Sequence, residues 1–174
     1  LLRRQVSAQT AQISDKASES KRKRMAVTSN ILIFLLSLAG LGCCVAMSMP
    51  QVHIVAFCVD LGYGPTAGSE MLSLMLFGGI ISRLISGMTA DWLGGINTLL
   101  IGSTLQCVSL FLYLPFDGLV PLYIVSLVFG LSQGGIVPSY AIIVRDYLPS
   151  ASAGEKIGLV MMTTILGMAL GGWM

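Results

Sequence analysis

Arg83 is a single cation inside a long apolar stretch, and the residues around it follow a regular spacing. Gly79, Arg83, Gly87 and Asp91 recur every four residues, with Ser82, Ser86 and Ala90 beside them. On a helix of 3.6 residues per turn these positions share one small and polar stripe. Leu76, Ile80, Ile81, Leu84, Ile85 and Met88 fall on the other side. A guanidinium grips a carboxylate with two parallel N–H donors, so Arg83 is a candidate partner for an anionic ligand. The competing reading is a structural ion pair with an acid in sequence outside these 174 residues. His53 either lines the outer half of a ligand pathway or caps a backbone carbonyl near an interface. Gln133, next to Ser132, hydrogen-bonds either a substrate or a neighbouring helix. No metal site or cofactor is expected: one histidine cannot build a ligand cluster, and the sequence has no phosphate-binding glycine loop. The four cysteines, Cys43, Cys44, Cys58 and Cys107, lie in apolar runs, where they act as small packing residues.

The elements that must hold these residues are membrane-crossing helices. The chain is 55% hydrophobic and 10% charged with a mean hydropathy of +0.84, against roughly 25% charged residues in soluble chains. Its charges leave four uncharged runs, at 25–59, 92–116, 118–144 and 157–174. A bilayer-crossing helix needs about 20 mostly apolar residues, so three runs suffice and the last nearly does. Soluble enzymes and nucleic-acid binders are thereby excluded, and the fold class is an all-α polytopic bundle. Spans are expected at about 30–59, kinked by Pro50, and at 68–90 and 96–114. Two more are expected at 119–147, interrupted near Pro138, and from Ser152 onward. Ser152 and Glu155 have the spacing of a capping box. Residues 1–29 differ in composition, being basic and polar, and are expected to form a disordered cytoplasmic segment. Their Lys21, Arg22, Lys23 and Arg24 are read as a topology signal rather than a nucleic-acid or anionic-lipid patch. With that segment inside, nine of the ten basic residues face the cytoplasm and none the outer loops, which hold Asp60, Glu70 and Asp117.

The motif Gly87-Met-Thr-Ala-Asp91-Trp-Leu-Gly94 at the inner end of the second span resembles the loop motif of the major facilitator superfamily, although Gly95, Ile96 and Asn97 replace its basic residues. The stretch 50–62, with His53, Asp60 and Gly62, resembles the seventh helix of the monocarboxylate porter branch. Arg83 matches that branch's eighth-helix arginine, and Gly79 stands where its animal members carry an acid associated with proton coupling. The last two spans resemble helices ten and eleven. The resemblance implies about five helices of the C-terminal half of a twelve-helix transporter, truncated in the fifth, with the chain a fragment that lacks the N-terminal half.

That resemblance implies secondary transport of a small organic anion, plausibly a monocarboxylate, as proton symport or as exchange against a counter-anion. Arg83, His53 and Gln133 are the expected substrate contacts. Gly87, Asp91 and Gly94 are expected at a cytoplasmic gate, where Asp91 faces a helix N-terminus of the other half. Arg145 and Asp146 are expected to join a charge network there with Asp91 or Glu155. Gly130 with Gly134, and Gly167 with Gly171, have the spacing of close helix packing. The expected location is the plasma or inner cell membrane, embedded in the lipid bilayer. The rivals are a transporter of another small solute, a non-transporting sensor or scaffold on the same fold, and a membrane-embedded enzyme, which would need more acids or histidines at depth.

Overall fold

Residues 15–16, 19–20, 28–115 and 118–174 are described by a computed structural model, and the regular structure among them is helical. The helices are α1 Ser29–Asp60, α2 Gly64–Leu93, α3 Gly95–Leu112, α4 Leu119–Gln133, α5 Ile136–Tyr147 and α6 Ser150–Trp173. Because α4 and α5 together make one span, Leu119–Tyr147, five stretches are long and apolar enough to cross a bilayer. An all-helical polytopic bundle is thus present. Most of the basic segment expected at 1–29, including Lys21 to Arg24, lies outside the described residues.

Helix α1 is continuous through Pro50, and two local expectations need correction. The interruption in the fourth span falls at Gly134–Gly135, ahead of Pro138. The reason is the hydrogen-bond register: proline has no N–H to offer the carbonyl four residues back, and its ring crowds that carbonyl. For Pro138 the residue affected is Gly134, while Pro138 itself sits comfortably in the first turn of α5. The capping box at Ser152 does not form. Helix α6 begins one turn earlier with Pro149 as its N-cap, and Ser152 Oγ only reaches back 3.5 Å to the Pro149 carbonyl. Asp15 satisfies that helix start instead, its Oδ1 accepting a hydrogen bond from the Ser150 N–H at 2.9 Å.

Two helix pairs form the frame, and glycine permits both. In lipid, helices associate through close van der Waals packing because apolar burial gives no advantage over acyl chains. On α6, a Cβ at Gly167 would stand 2.5 Å from the Leu41 carbonyl oxygen of α1. On α4, a Cβ at Gly134 would stand 2.7 Å from Ser82 Cβ and 2.9 Å from the Arg83 amide nitrogen of α2. Both glycine pairs singled out in the sequence therefore serve tight static contacts. Helix α3 packs against α4 and α5 behind this frame.

Side chains bury in two apolar clusters at different heights. The lower cluster joins Leu32, Ile33 and Leu36 of α1 to Tyr140, Ile143 and Val144 of α5 and Val160 of α6. The upper one joins Ile54 and Cys58 of α1 to Met71 and Met75 of α2 and Leu122 and Phe129 of α4. Ile80, Leu84 and Met88 of α2, Phe111 of α3, and Met162 and Ile165 of α6 are exposed, as befits surfaces that meet acyl chains. The lower end of the bundle holds Asp91, Arg145, Glu155 and Lys156; the upper end holds Asp60 and Glu70. Gly94, at φ 84°, is at once the last cap of α2 and the first of α3, a one-residue joint in a backbone conformation natural only to glycine.

A polar crossing between two apolar clusters

The candidate site lies at mid-span, where α2 crosses the α4–α5 break. Gly134 follows the 15 residues of α4, which places the break ~22 Å below the upper end. Immediately before it stands Gln133, 5% exposed. Its Oε1 accepts a hydrogen bond of 2.8 Å from Gln51 Nε2, a contact that ties α1 to α4. Its Nε2 lies 3.7 Å from where a Cβ would sit on Gly79. A larger residue at 79 would therefore press on this amide.

Arg83 follows Gly79 by one helical turn on the same face. Arg83 is exposed, and among the described residues no acid or hydrogen-bond acceptor engages its side chain. A cation at this depth costs at least about 2.5 kcal/mol unless water, an acid or a ligand meets it.

The small-and-polar stripe divides along its length. Gly79 and Ser82 are buried against α4, whereas Arg83, Gly87 and Asp91 stand on an open edge, and a Cβ at Gly87 would meet nothing within 4 Å. Behind the stripe, Ser82, Thr89, Thr98 and Ser132 line a recess of about 250 Å³ shared by α2, α3 and α4. Thr89, Thr98 and Ser132 donate to carbonyls of their own helices, so the recess has little directed chemistry.

His53 is not brought to this crossing. Residues two apart on a helix point about 200° from each other, so Gln51 faces α4 while His53 faces away. It lines a mostly apolar recess of about 340 Å³ between α1 and α3, with Phe57, Leu110 and Tyr113. Its Nε2 is buried there without a partner. Tyr113 spends its hydroxyl on Ser126 of α4, 3.1 Å away.

At the lower end, Asp91 and Arg145 are both exposed, in the last turns of α2 and α5. Asp91, Arg145 and Glu155 stand at the ends of three different helices. All three are exposed. Asp146, half-buried, follows Arg145. Metal-binding groups of three or more His, Cys, Asp or Glu are absent among the described residues.

Gln51 is the residue that sequence reasoning missed. It is a polar side chain in an uncharged run, directly after Pro50, and that position was its available signal.

Comparison with known proteins agrees with this architecture. The family description Major Facilitator Superfamily matches residues 3–173. Monocarboxylate transporter 13 of Rattus norvegicus and that of Bos taurus are each 27% identical to the chain over 125 residues. That stretch is 71% of this chain and 29% of either relative, so the chain aligns with well under half of each. No solved structure matches it.

Proposed function

The chain belongs to the Major Facilitator Superfamily, and from that premise we propose that it is part of a secondary active transporter for small organic anions, monocarboxylates foremost. Arg83 is the carboxylate partner, and Gln133 supplies a hydrogen bond beside it. His53, on the far face of α1, lies outside this pair and takes no part in gripping the anion. The observation that carries the reading is the packing of the Arg83 backbone against the helix break at mid-span, with its side chain exposed and without an acid partner among the described residues. Substrates of such transporters bind near the midplane between repeats, often at interrupted helices, and rocking exposes the site to each side in turn. The names of the two mammalian relatives point to the same class of cargo.

Asp91, on the same edge as Arg83, biases the gate at the lower end, with Gly94 as the joint that sets its height. The lower end faces the cytoplasm across a plasma membrane, and transport draws on a proton gradient or on a counter-anion.

Uptake of labelled lactate and oxalate into vesicles carrying the full-length protein tests the reading. Arg83→Lys keeps the charge but loses the fork, and should raise KM about tenfold or more. Arg83→Ala should reduce uptake to that of empty vesicles. Equal uptake in wild type and both variants, at matched protein content, removes Arg83 from the site.

A further inference from the structure

Helices α2 and α3 share Gly94 as a cap and part above it, leaving the recess of about 250 Å³ that Leu131, Ser132 and Gly135 close from behind. Four of the hydroxyls that line it bond to backbone carbonyls, and the direction of each bond is fixed because a carbonyl only accepts. Ser86 donates to the Arg83 carbonyl at 3.1 Å, Thr89 to that of Ile85 at 2.9 Å, Thr98 to that of Gly94 at 3.0 Å and Ser132 to that of Phe129 at 2.7 Å. With their protons spent, these oxygens have only lone pairs left to offer. The Ser132 carbonyl adds another acceptor, 3.5 Å from where a Cβ on Gly102 would stand. The rest of the wall is apolar. Ile85, Ile101 and Leu105 line the recess and are exposed, so it opens sideways to lipid.

The acceptors at its mouth stand at a defined depth. The 30 residues of α2 extend ~45 Å against a hydrocarbon core of about 30 Å, so each end projects roughly 7 Å beyond it. Thr89 is ~6 Å above the last residue of α2 and Thr98 ~5 Å above the first of α3, which puts both at the hydrocarbon boundary. Phospholipids present ester carbonyls at that level, and an acceptor does not pair with an acceptor. A lipid with a hydroxyl there can donate.

We propose that the recess binds a sterol from the leaflet at the lower end. Its hydroxyl donates to Thr89 or Thr98, and its flat ring system lies between α2 and α3 against Ile85, Ile101 and Leu105. This goes beyond the transport reading and does not depend on it. Diacylglycerol carries the same hydroxyl, and width decides against it. The one-residue joint at Gly94 holds α2 and α3 together at the mouth, where one rigid body enters more readily than two acyl chains on a shared glycerol.

Photolabelling of the full-length protein in phosphatidylcholine vesicles tests the site. The probe is a cholesterol analogue with a diazirine in its ring system, its adducts mapped by peptide mass spectrometry. Label should concentrate in residues 82–105, and cholesterol in about tenfold excess should remove most of it. Cholesterol 3-methyl ether keeps the shape but has no proton to give, and should compete about threefold less well or worse. Thr89→Val and Thr98→Val together remove both acceptors at the mouth and should lower labelling about three- to tenfold. Label spread equally over residues 162–170 of α6 would mean ordinary lipid contact and overturns the proposal. Equal competition by the methyl ether overturns it too, and that arm uses the wild type, so it decides even where the double variant does not fold. Equal competition by diacylglycerol overturns the choice of a sterol.

Discussion

An acid in the last turn of a helix sits in the wrong field, since the carbonyl end of the macrodipole carries partial negative charge. Asp91 accepts that position in α2, exposed and without an ion pair or hydrogen bond among the described residues. The unfavourable local placement, on the order of 0.3–1 kcal/mol, makes sense if another helix N-terminus meets the carboxylate in one conformation of the transporter. Asp91→Asn keeps the shape and removes the charge, so it should destabilise that conformation and raise the population open at the lower end. Labelling of a single cysteine introduced at Gly87, in a background without native cysteines, measures this. Unchanged labelling rates on Asp91→Asn would dismiss the gating role. Arg83 and Asp91 were legible as residues because a charge between apolar runs is conspicuous and their spacing places them on one face. Gln51 was not legible, since an amide acquires meaning only from what it meets. Its partner is 82 positions away, on a helix whose crossing with α1 no local pattern encodes.

Helix existence was readable from apolar runs, and helix ends were less so. The runs fixed five spans because hydrocarbon tolerates no unsatisfied backbone, and only helices satisfy it within one segment. The break at Gly134–Gly135 was displaced from its sequence marker because proline disturbs the carbonyl four residues behind it. The capping box failed because Pro149 had already fixed the α6 start. Glycine spacing foretold which faces come close, and the structure adds which backbone each one meets. That identity sorts substitutions by consequence. A side chain at Gly134 collides with Ser82 and the Arg83 amide, and backbone cannot step aside. Gly134→Val should cost 1–3 kcal/mol or more and separate α2 from α4. Gly42 of α1 has nothing within 4 Å of a Cβ, so Gly42→Ala should shift stability by no more than about 0.5 kcal/mol. Thermal unfolding of the two variants in detergent, read beside wild type, checks the contrast. Equal midpoints for both would mean that α4 does not approach α2 as closely as described.

Five spans in alternation leave every loop at one of two ends, so the charge pattern becomes a statement about the whole molecule. The starts of α1, α3 and α6 and the ends of α2 and α5 gather at the lower end, with Arg145 and Lys156. The upper end gathers Asp60 and Glu70, whose carboxylate accepts a hydrogen bond from the Tyr123 hydroxyl. Basic residues near span ends are retained on the cytoplasmic side during insertion, so this asymmetry predicts a bundle with its lower end inward. In that predicted orientation the proposed gate at Asp91 would face the cytoplasm, with Arg83 above it toward mid-span. An impermeant maleimide applied to intact cells distinguishes the two possible orientations. In a protein stripped of its native cysteines, Asp60→Cys should label from outside. Lys156→Cys should label only after the membrane is permeabilised. The reverse pattern would invert the bundle and move the proposed gate to the outer face. Labelling of both sites from outside would mean that α6 does not begin at the end assigned to it.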